Sequence, residues 1–264
     1  MKVTIHAEIK NVPDGSSMSA LAAGRVCNLM VVNGCPVAGE YILQDGDEVW
    51  FLNKGEVDSK ELEQLLYVRH TPGVQKKIAG AVVGVMGLGG LGSVVAGALA
   101  RIGVGTLVLA DFDSVDPTNL NRQQYFMDQI GMTKVAATAA NIKRMNPNLH
   151  LVLHELKLDE ANIPLLFKDV DVLVECFDDP VMKAVGFRLA LTHMKNVGYV
   201  GASGMAGFAD TNLIVTKRHG PRIYLVGDGV SEAKPGQGLM APRVGIAAHH
   251  QAKQELRILL GEDE

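Results

Sequence analysis

The cysteines of this chain are few and far apart. Cys27, Cys35 and Cys176 are scattered, and no C-x-x-C pair occurs. A tetrahedral zinc site built from thiolates is therefore excluded for the chain alone, and no zinc is expected. An odd, unpatterned set of thiols points to a reducing compartment. No run of about 18 apolar residues is present to span a bilayer, and residues 1–10 lack the positive start and apolar core of a signal peptide. These absences give the expectation of a cytoplasmic protein with no membrane partner. Positive charge is not in excess either. The formal net charge is −4, so the basic face that a polyanion requires is missing and nucleic acid is not expected as a partner. No internal repeat or low-complexity tract occurs.

What the chain has is glycine, 29 residues in 264, as expected where several loops bring backbone close to a ligand. Its length suits one large α/β domain with a small appendage. The first 55 residues differ from the rest. Val3–Ile9 and Leu29–Val32 read as strands, Ser19–Val26 as a short helix, and Asn33-Gly34 as a turn; Leu43–Leu52 reads as an Asp-Gly turn leading into a further strand. Strands around one helix in so short a segment predict a small β-grasp (ubiquitin-like) domain over residues 1–55. A linker region over 56–80 follows, opened by a charged helix at Glu56–Gln64. From residue 81 to 264 strand and helix alternate. Strands are expected at Ala81–Met86, Thr106–Ala110, His150–Leu156, Val170–Cys176 and Val197–Gly201. Helices are expected near Leu91–Arg101, Lys134–Met145, Ile163–Phe167 and Val181–His193. This alternation predicts a doubly wound, mostly parallel α/β sheet. Asn212–Thr216 and Arg222–Val226 read as an antiparallel hairpin at one end of it, and Pro242–Leu260 as a final helix.

Gly87, Gly89, Gly90 and Gly92 follow the first strand of this region and open a helix. Glycines let the turn tighten and let backbone N–H groups approach a phosphate, and the helix N-terminus favours negative charge. Asp111 ends the next strand, placed to accept hydrogen bonds from ribose hydroxyls. Together these say adenine nucleotide without separating NAD from ATP. Asp113, Asn119, Arg122, Lys134 and the pair Asp178-Asp179 then change the balance. In an open parallel sheet, ligands bind at the C-terminal strand ends. A hydride-transfer site has little use for an Arg, a Lys and a free carboxylate around the phosphates. A triphosphate does, because cations neutralise its oxygens and a carboxylate holds Mg²⁺.

With GLGGLGS at 87–93, DFD at 111–113, NLNRQ at 119–123, Lys134, Asp178-Asp179, SGMAG at 203–207, YLVGDG at 224–229 and GLMAPRVGIAAHHQA at 238–252, residues from about 65 to 260 resemble the ThiF/MoeB/HesA branch of the ubiquitin-activating-enzyme superfamily. The nearest subgroup is ThiF without zinc cysteines. The resemblance implies a Rossmann-type fold and an ATP- and Mg²⁺-dependent adenylyltransferase. It places Gly90 and its neighbours Gly87 and Gly89 against the phosphates, Asp111 and Asp113 at the nucleotide, and Asn119, Arg122 and Lys134 on the phosphates. Asp178 is implied as the Mg²⁺ ligand, and Arg69 as an arginine supplied to the neighbouring subunit of a homodimer. The implied substrate is a separate ThiS-like sulfur carrier protein with a Gly-Gly C-terminus, in thiamine thiazole biosynthesis. Such a carboxylate has a pKa near ~3.5 and is already ionised at neutral pH, so its attack on the α-phosphate needs alignment and charge neutralisation rather than a general base.

Residues 1–55 resemble ThiS itself through VNG at 32–34 and LQDGDEVWFL at 43–52. Where a carrier ends in a free Gly-Gly, this chain reads Leu52-Asn53-Lys54-Gly55-Glu56 and continues, which implies a degenerate carrier that is not adenylated in cis. Plainer readings stand beside these roles. Arg122 suits an ion pair with Asp128, Asp178 or Asp179 suits a helix cap before Pro180, and His249-His250 point in different directions on one helix and make no metal site. The cysteines suit packing rather than nucleophilic attack. Alternatives of function are activation of a molybdopterin carrier, ATP-dependent cyclisation or dehydration of a tRNA base, an NAD-dependent oxidoreductase, and a non-catalytic carrier-binding module.

Overall fold

The computed structural model describes residues 1–53 and 68–262. The helix expected at Glu56–Gln64 lies outside the described residues. The chain divides into two compact units, Met1–Lys76 and Lys77–Glu264.

In the first unit, five strands form one sheet: β1 (Lys2–Ile5), β2 (Glu8–Asn11), β3 (Leu29–Val32), β4 (Cys35–Pro36) and β5 (Glu48–Leu52). Their order is β2-β1-β5-β3-β4, with β1 and β5 parallel and the other pairs antiparallel. The single strand expected over Val3–Ile9 is in fact a hairpin. His6 and Ala7 take φ of 48° and 68°, so β1 turns back on itself as β2. The reversal buries Val3 and Ile5 while every residue of β2 stays exposed. Helix α1 (Met18–Ala22) starts on a Ser17 cap and stops short of the expected Val26, where Gly24 adopts φ +80°. Val3, Ile5, Met18, Val32, Leu43, Val49 and Phe51 form the core. The Asp-Gly turn before β5 is held by Asp47, whose carboxylate accepts from Asn33 Nδ2 and from Gln44 N, each at 2.8 Å. Val68 packs with Val31 and Leu52.

α2 (Val74–Ile78) spans the boundary between the units. In the larger unit seven strands follow: β6 (Val82–Met86), β7 (Thr106–Asp111), β8 (His150–Glu155), β9 (Val172–Glu175), β10 (Gly198–Ala202), β11 (Val215–Gly220) and β12 (Ile223–Gly227). Their order is β11-β12-β10-β9-β6-β7-β8. All neighbours run parallel except β11 and β12, so the hairpin expected at one end of the sheet is present. Its first strand begins at Val215, later than expected, because Thr211–Leu213 form a 3-10 turn capped by Asp210.

The inner strands β6, β7, β9, β10 and β12 are apolar along most of their length because both faces of the sheet are covered there. Side chains alternate between two cores. Val83, Val85, Leu107, Leu109, Val172 and Val174 meet α3 (Gly92–Ile102), α4 (Lys134–Met145) and α7 (Ala241–Leu260) on one face. Met86, Val108, Ala110, Leu173 and Tyr199 meet α5 (Ile163–Leu166) and α6 (Pro180–Thr192) on the other. The chain leaves β6 toward β7 on one side and returns to β9 on the other. That reversal leaves a crevice above the C-terminal ends of β6 and β9. No helix among the described residues is long and apolar enough to cross a membrane.

Candidate functional site

The crevice opens into a cavity of about 600 Å³ in the larger unit. It runs over the C-terminal ends of six strands. Leu156–Leu158 follow β8, Asp111–Asp113 end and follow β7, Gly87–Leu91 follow β6, Cys176–Pro180 follow β9, Ser203–Ala206 follow β10 and Gly229–Ala233 follow β12. The glycine turn sits near the middle.

That turn is fixed by bonds that need these residues. Gly87 has φ +86°, and a Cβ there would lie 3.1 Å from the Cys176 carbonyl. A Cβ on Gly92 would lie 1.9 Å from the Gly87 carbonyl, so only glycine lets α3 start so close to β6. Two carbonyls of the turn are tied back: Leu88 O accepts from Tyr125 Oη at 2.7 Å and Gly89 O from Ser93 Oγ at 2.7 Å. Helix α3 begins with no side-chain cap and no acid in its first turn. An uncapped helix start presents N–H groups and a positive field, which is a seat for an anion.

Asp111 is buried. One carboxylate oxygen accepts from Leu88 N at 2.6 Å and the other from Asp113 N at 2.8 Å. Burial pushes its carboxyl up, and the amides of Asp113 and Leu88 and the charge of Lys134 oppose that rise. Its first structural task is thus to hold the glycine turn onto the end of β7. Lys134 is the first residue of α4 and is buried; its Nζ meets Asp113 Oδ2 at 2.7 Å. A lysine at a helix start is disfavoured by the helix dipole, and the Asp113 carboxylate offsets that cost. Arg122 lines the cavity, with Nη1 donating to Thr118 O at 3.1 Å and to Asn121 Oδ1 at 2.9 Å. The Asp128 pairing weighed for it is not formed among the described residues. Asn119 is not one of the lining residues. Its Oδ1 accepts from Asp116 N at 3.2 Å and closes a capping box around the 3-10 turn Pro117–Asn119.

The two acids after β9 divide their work. Asp179 caps α6 by accepting from Val181 N at 2.8 Å. Asp178 lines the cavity, exposed, and enters no hydrogen bond or ion pair among the described residues. Among those residues no group of three or more His, Cys, Asp or Glu is placed to hold a metal ion. A single free carboxylate beside a phosphate seat still suits Mg²⁺, which is held through one or two carboxylates together with phosphate oxygens and water.

The matching family model is the ThiF family, over residues 62–264. The chain belongs to the ThiF family. Its relatives include the adenylyltransferase and sulfurtransferase UBA4 of Vanderwaltozyma polyspora, 28% identical over 203 residues, which cover 74% of this chain and 46% of that protein. The adenylyltransferase and sulfurtransferase MOCS3 of Caenorhabditis briggsae is 39% identical over 106 residues, 40% of this chain and 26% of that one. The chain thus spans less than half the length of these relatives. Among solved structures, the ATP complex of the tRNA N6-threonylcarbamoyladenosine dehydratase TcdA of E. coli superposes with a TM-score of 0.68 at 19% identity, covering 79% of this chain and 98% of that one. That likeness establishes a shared α/β fold.

Several residues of this ThiF-family site escaped the sequence reading. Glu175 is fully buried at the end of β9. Its Oε1 accepts from Lys183 Nζ at 2.9 Å and from Phe177 N at 2.7 Å, and its Oε2 from Ala202 N at 3.4 Å. A charged residue closing an otherwise apolar strand, with a lysine eight positions later on the next helix, was the available signal. Arg243 and Asp228 form a buried ion pair at 2.6 Å. Arg243 also donates to Ala209 O at 2.7 Å and Asp210 O at 3.0 Å, so one guanidinium ties the loops after β10 and β12 to α7. Burial alone would raise the Asp228 carboxyl, but hydrogen bonds from Ser231, Val230 and Arg243 outweigh it and hold the pKa down at about 2. Arg69 belongs to the first unit, where its Nε donates to Gly34 O at 3.1 Å.

Proposed function

We propose that this chain uses ATP and Mg²⁺ to adenylate the C-terminal glycine carboxylate of a separate ThiS-like sulfur carrier protein, with release of pyrophosphate. The observation that carries the reading is the gathering of Arg122, Lys134 and the unengaged Asp178 around one uncapped glycine turn. Membership of the ThiF family and the adenylyltransferase activity named for the UBA4 and MOCS3 relatives support it. Gly87, Gly89 and Gly90 receive the phosphates against the α3 N-terminus, and Asp111 and Asp113 face the ribose side. Arg122 and Lys134 neutralise charge spreading onto the leaving pyrophosphate. Asp178 holds Mg²⁺, which draws charge from the phosphate oxygens when bound. Asn119 acts through the Pro117–Asn119 turn that precedes Arg122.

A cavity that crosses six strand ends has room for a nucleotide on the β8–β7–β6 side and an acceptor tail on the β9–β10–β12 side. The carboxylate is already ionised, so the site aligns two anions rather than moving a proton. Cys176 lines the cavity, but burial and the nearby charges of Glu175 and Glu255 push its thiol far up. It is not a ready nucleophile, and we assign sulfur transfer to another protein. The order β2-β1-β5-β3-β4 with parallel central strands supports reading the first unit as a β-grasp carrier fold. Because its chain continues past Leu52 to pack Val68 against Val31, that unit is a degenerate carrier. Arg69 is assigned to the partner subunit's nucleotide in a homodimer, on the family resemblance.

The test is mass spectrometry of Gly-Gly-ended carriers incubated with the chain and Mg-ATP, in search of the acyl-adenylate, with ATP–pyrophosphate exchange as the kinetic readout. Asp178→Ala is expected to lower exchange at least about 100-fold. Full exchange in that variant, or adenylation of a tRNA base instead of a carrier, sinks the reading. Stabilisation by NAD and not by Mg-ATP would return the site to an oxidoreductase.

A further inference from the structure

Lys183 lines the cavity and takes no part in the phosphate chemistry proposed above. It lies on the second turn of α6 and keeps 23% of its side chain exposed. Its ammonium donates to Glu175 and to no other described residue, although an ammonium carries three donors. Glu175 cannot follow it outward, because the carboxylate is also held by the amides of Phe177 and Ala202 in the buried floor between β9 and β10. Lys183 is therefore pinned by one N–H, and its two other donors are unengaged among the described residues.

Its surroundings say which anion it faces. The cavity half above β9, β10 and β12 is lined by Asp178, Asp179 and Glu232, by Ser203–Ala206, and by apolar residues such as Val230 and Leu239. Lys183 is the cation lining that half among the described residues; Arg122, Lys134 and Lys157 line the half above β6, β7 and β8. A carboxylate entering past three acids needs a fixed positive partner to be held near the phosphates.

We infer that Lys183 binds the carboxylate of the incoming acceptor and aligns it for attack, and that Glu175 is a positioning residue that keeps the ammonium at the cavity floor. This rests on the adenylation reading and names the residue that recognises the second substrate.

The experiment measures ATP–pyrophosphate exchange by the full chain with a Gly-Gly-ended carrier, varying carrier and ATP separately. A competing carrier whose terminus is a carboxamide reports recognition of charge. Three proteins are compared: wild type, Lys183→Arg, and the double variant Lys183→Met with Glu175→Gln. The double variant removes both charges, so no lone carboxylate is left buried and folding is retained. Melting curves check that it is folded. The expected result for the double variant is a carrier KM raised about tenfold or more, with the ATP KM within about twofold of wild type. Wild type prefers the carboxylate-ended carrier over the carboxamide, and the double variant loses that preference. Lys183→Arg retains it. A raised ATP KM with unchanged carrier KM overturns the assignment in favour of phosphate binding, and unchanged values for both overturn it in favour of a purely structural pair. Absence of exchange by wild type with every carrier would instead overturn the adenylation reading itself.

Discussion

Glu255 is the residue whose chemistry is least comfortable in this molecule. It lies on α7, fully buried, and neither carboxylate oxygen has a hydrogen-bond partner among the described residues. Burial pushes its pKa up to about 8. The folded state therefore holds a proton that the unfolded chain releases near the ordinary glutamate value. Between those two pKa values the folded state binds more protons, so stability is fully present below about pH 4.3 and falls as pH rises toward about 8, by roughly 1.4 kcal/mol per unit at most. Glu255→Gln removes the titration and keeps the shape. We expect its melting temperature to exceed that of wild type at pH 8 and to approach it at pH 5, measured by calorimetry in parallel buffers; identical pH profiles would refute this. Asp228 has the opposite sign. Its pKa is held near 2, so its contribution is present above the ordinary aspartate value and is lost as pH falls through about 2.

At the scale of elements, the site depends on how α3 and α7 are anchored. Gly92→Ala places a methyl on the Gly87 carbonyl, so either the turn or the helix start must move. Thermal stabilisation by Mg-ATP is expected to vanish in this variant, with a cost to the fold of about 2 kcal/mol or more. Arg243→Met leaves Asp228 buried without its partner and frees the carbonyls of Ala209 and Asp210. A destabilisation of about 3–5 kcal/mol is expected in urea titrations, and adding Asp228→Asn should recover part of it. Much of this architecture was legible before the structure. The strands β6 to β10 and the helices α3, α4 and α6 fall within a residue or two of the expected spans, because two-sided burial makes long apolar runs and glycine and proline mark their ends. The β1–β2 hairpin was not legible, since His6-Ala7 is a turn without glycine inside an alternating run. The glycine turn, Asp111, Arg122, Lys134 and Asp178 were found by motif, and each lines the cavity. Lys183 and Arg243 were missed because a lysine or arginine inside a helix reads as a solvated face. Only the fold shows that one reaches buried Glu175 and the other buried Asp228.

For the whole molecule, two units with separate cores make the effect of ligand a local measurement. Mg-ATP at 100 times its dissociation constant adds about 2.7 kcal/mol to the state that binds it. Hydrogen exchange should register this as protection of amides in Gly87–Leu91 and of the segment around Asp178, and the core amides of Val3–Ile5 serve as the internal reference. Protection confined to residues 1–53 would contradict the location of the site. The tied carbonyls of Leu88 and Gly89 have a thermodynamic corollary. Since Tyr125, Ser93 and Asp111 already hold the turn in shape, a nucleotide has little backbone to order on arrival. Titration calorimetry should therefore record a small loss of chain entropy, and Tyr125→Phe, which lets the Leu88 carbonyl swing, should weaken binding through that entropy while leaving every phosphate-facing side chain in place.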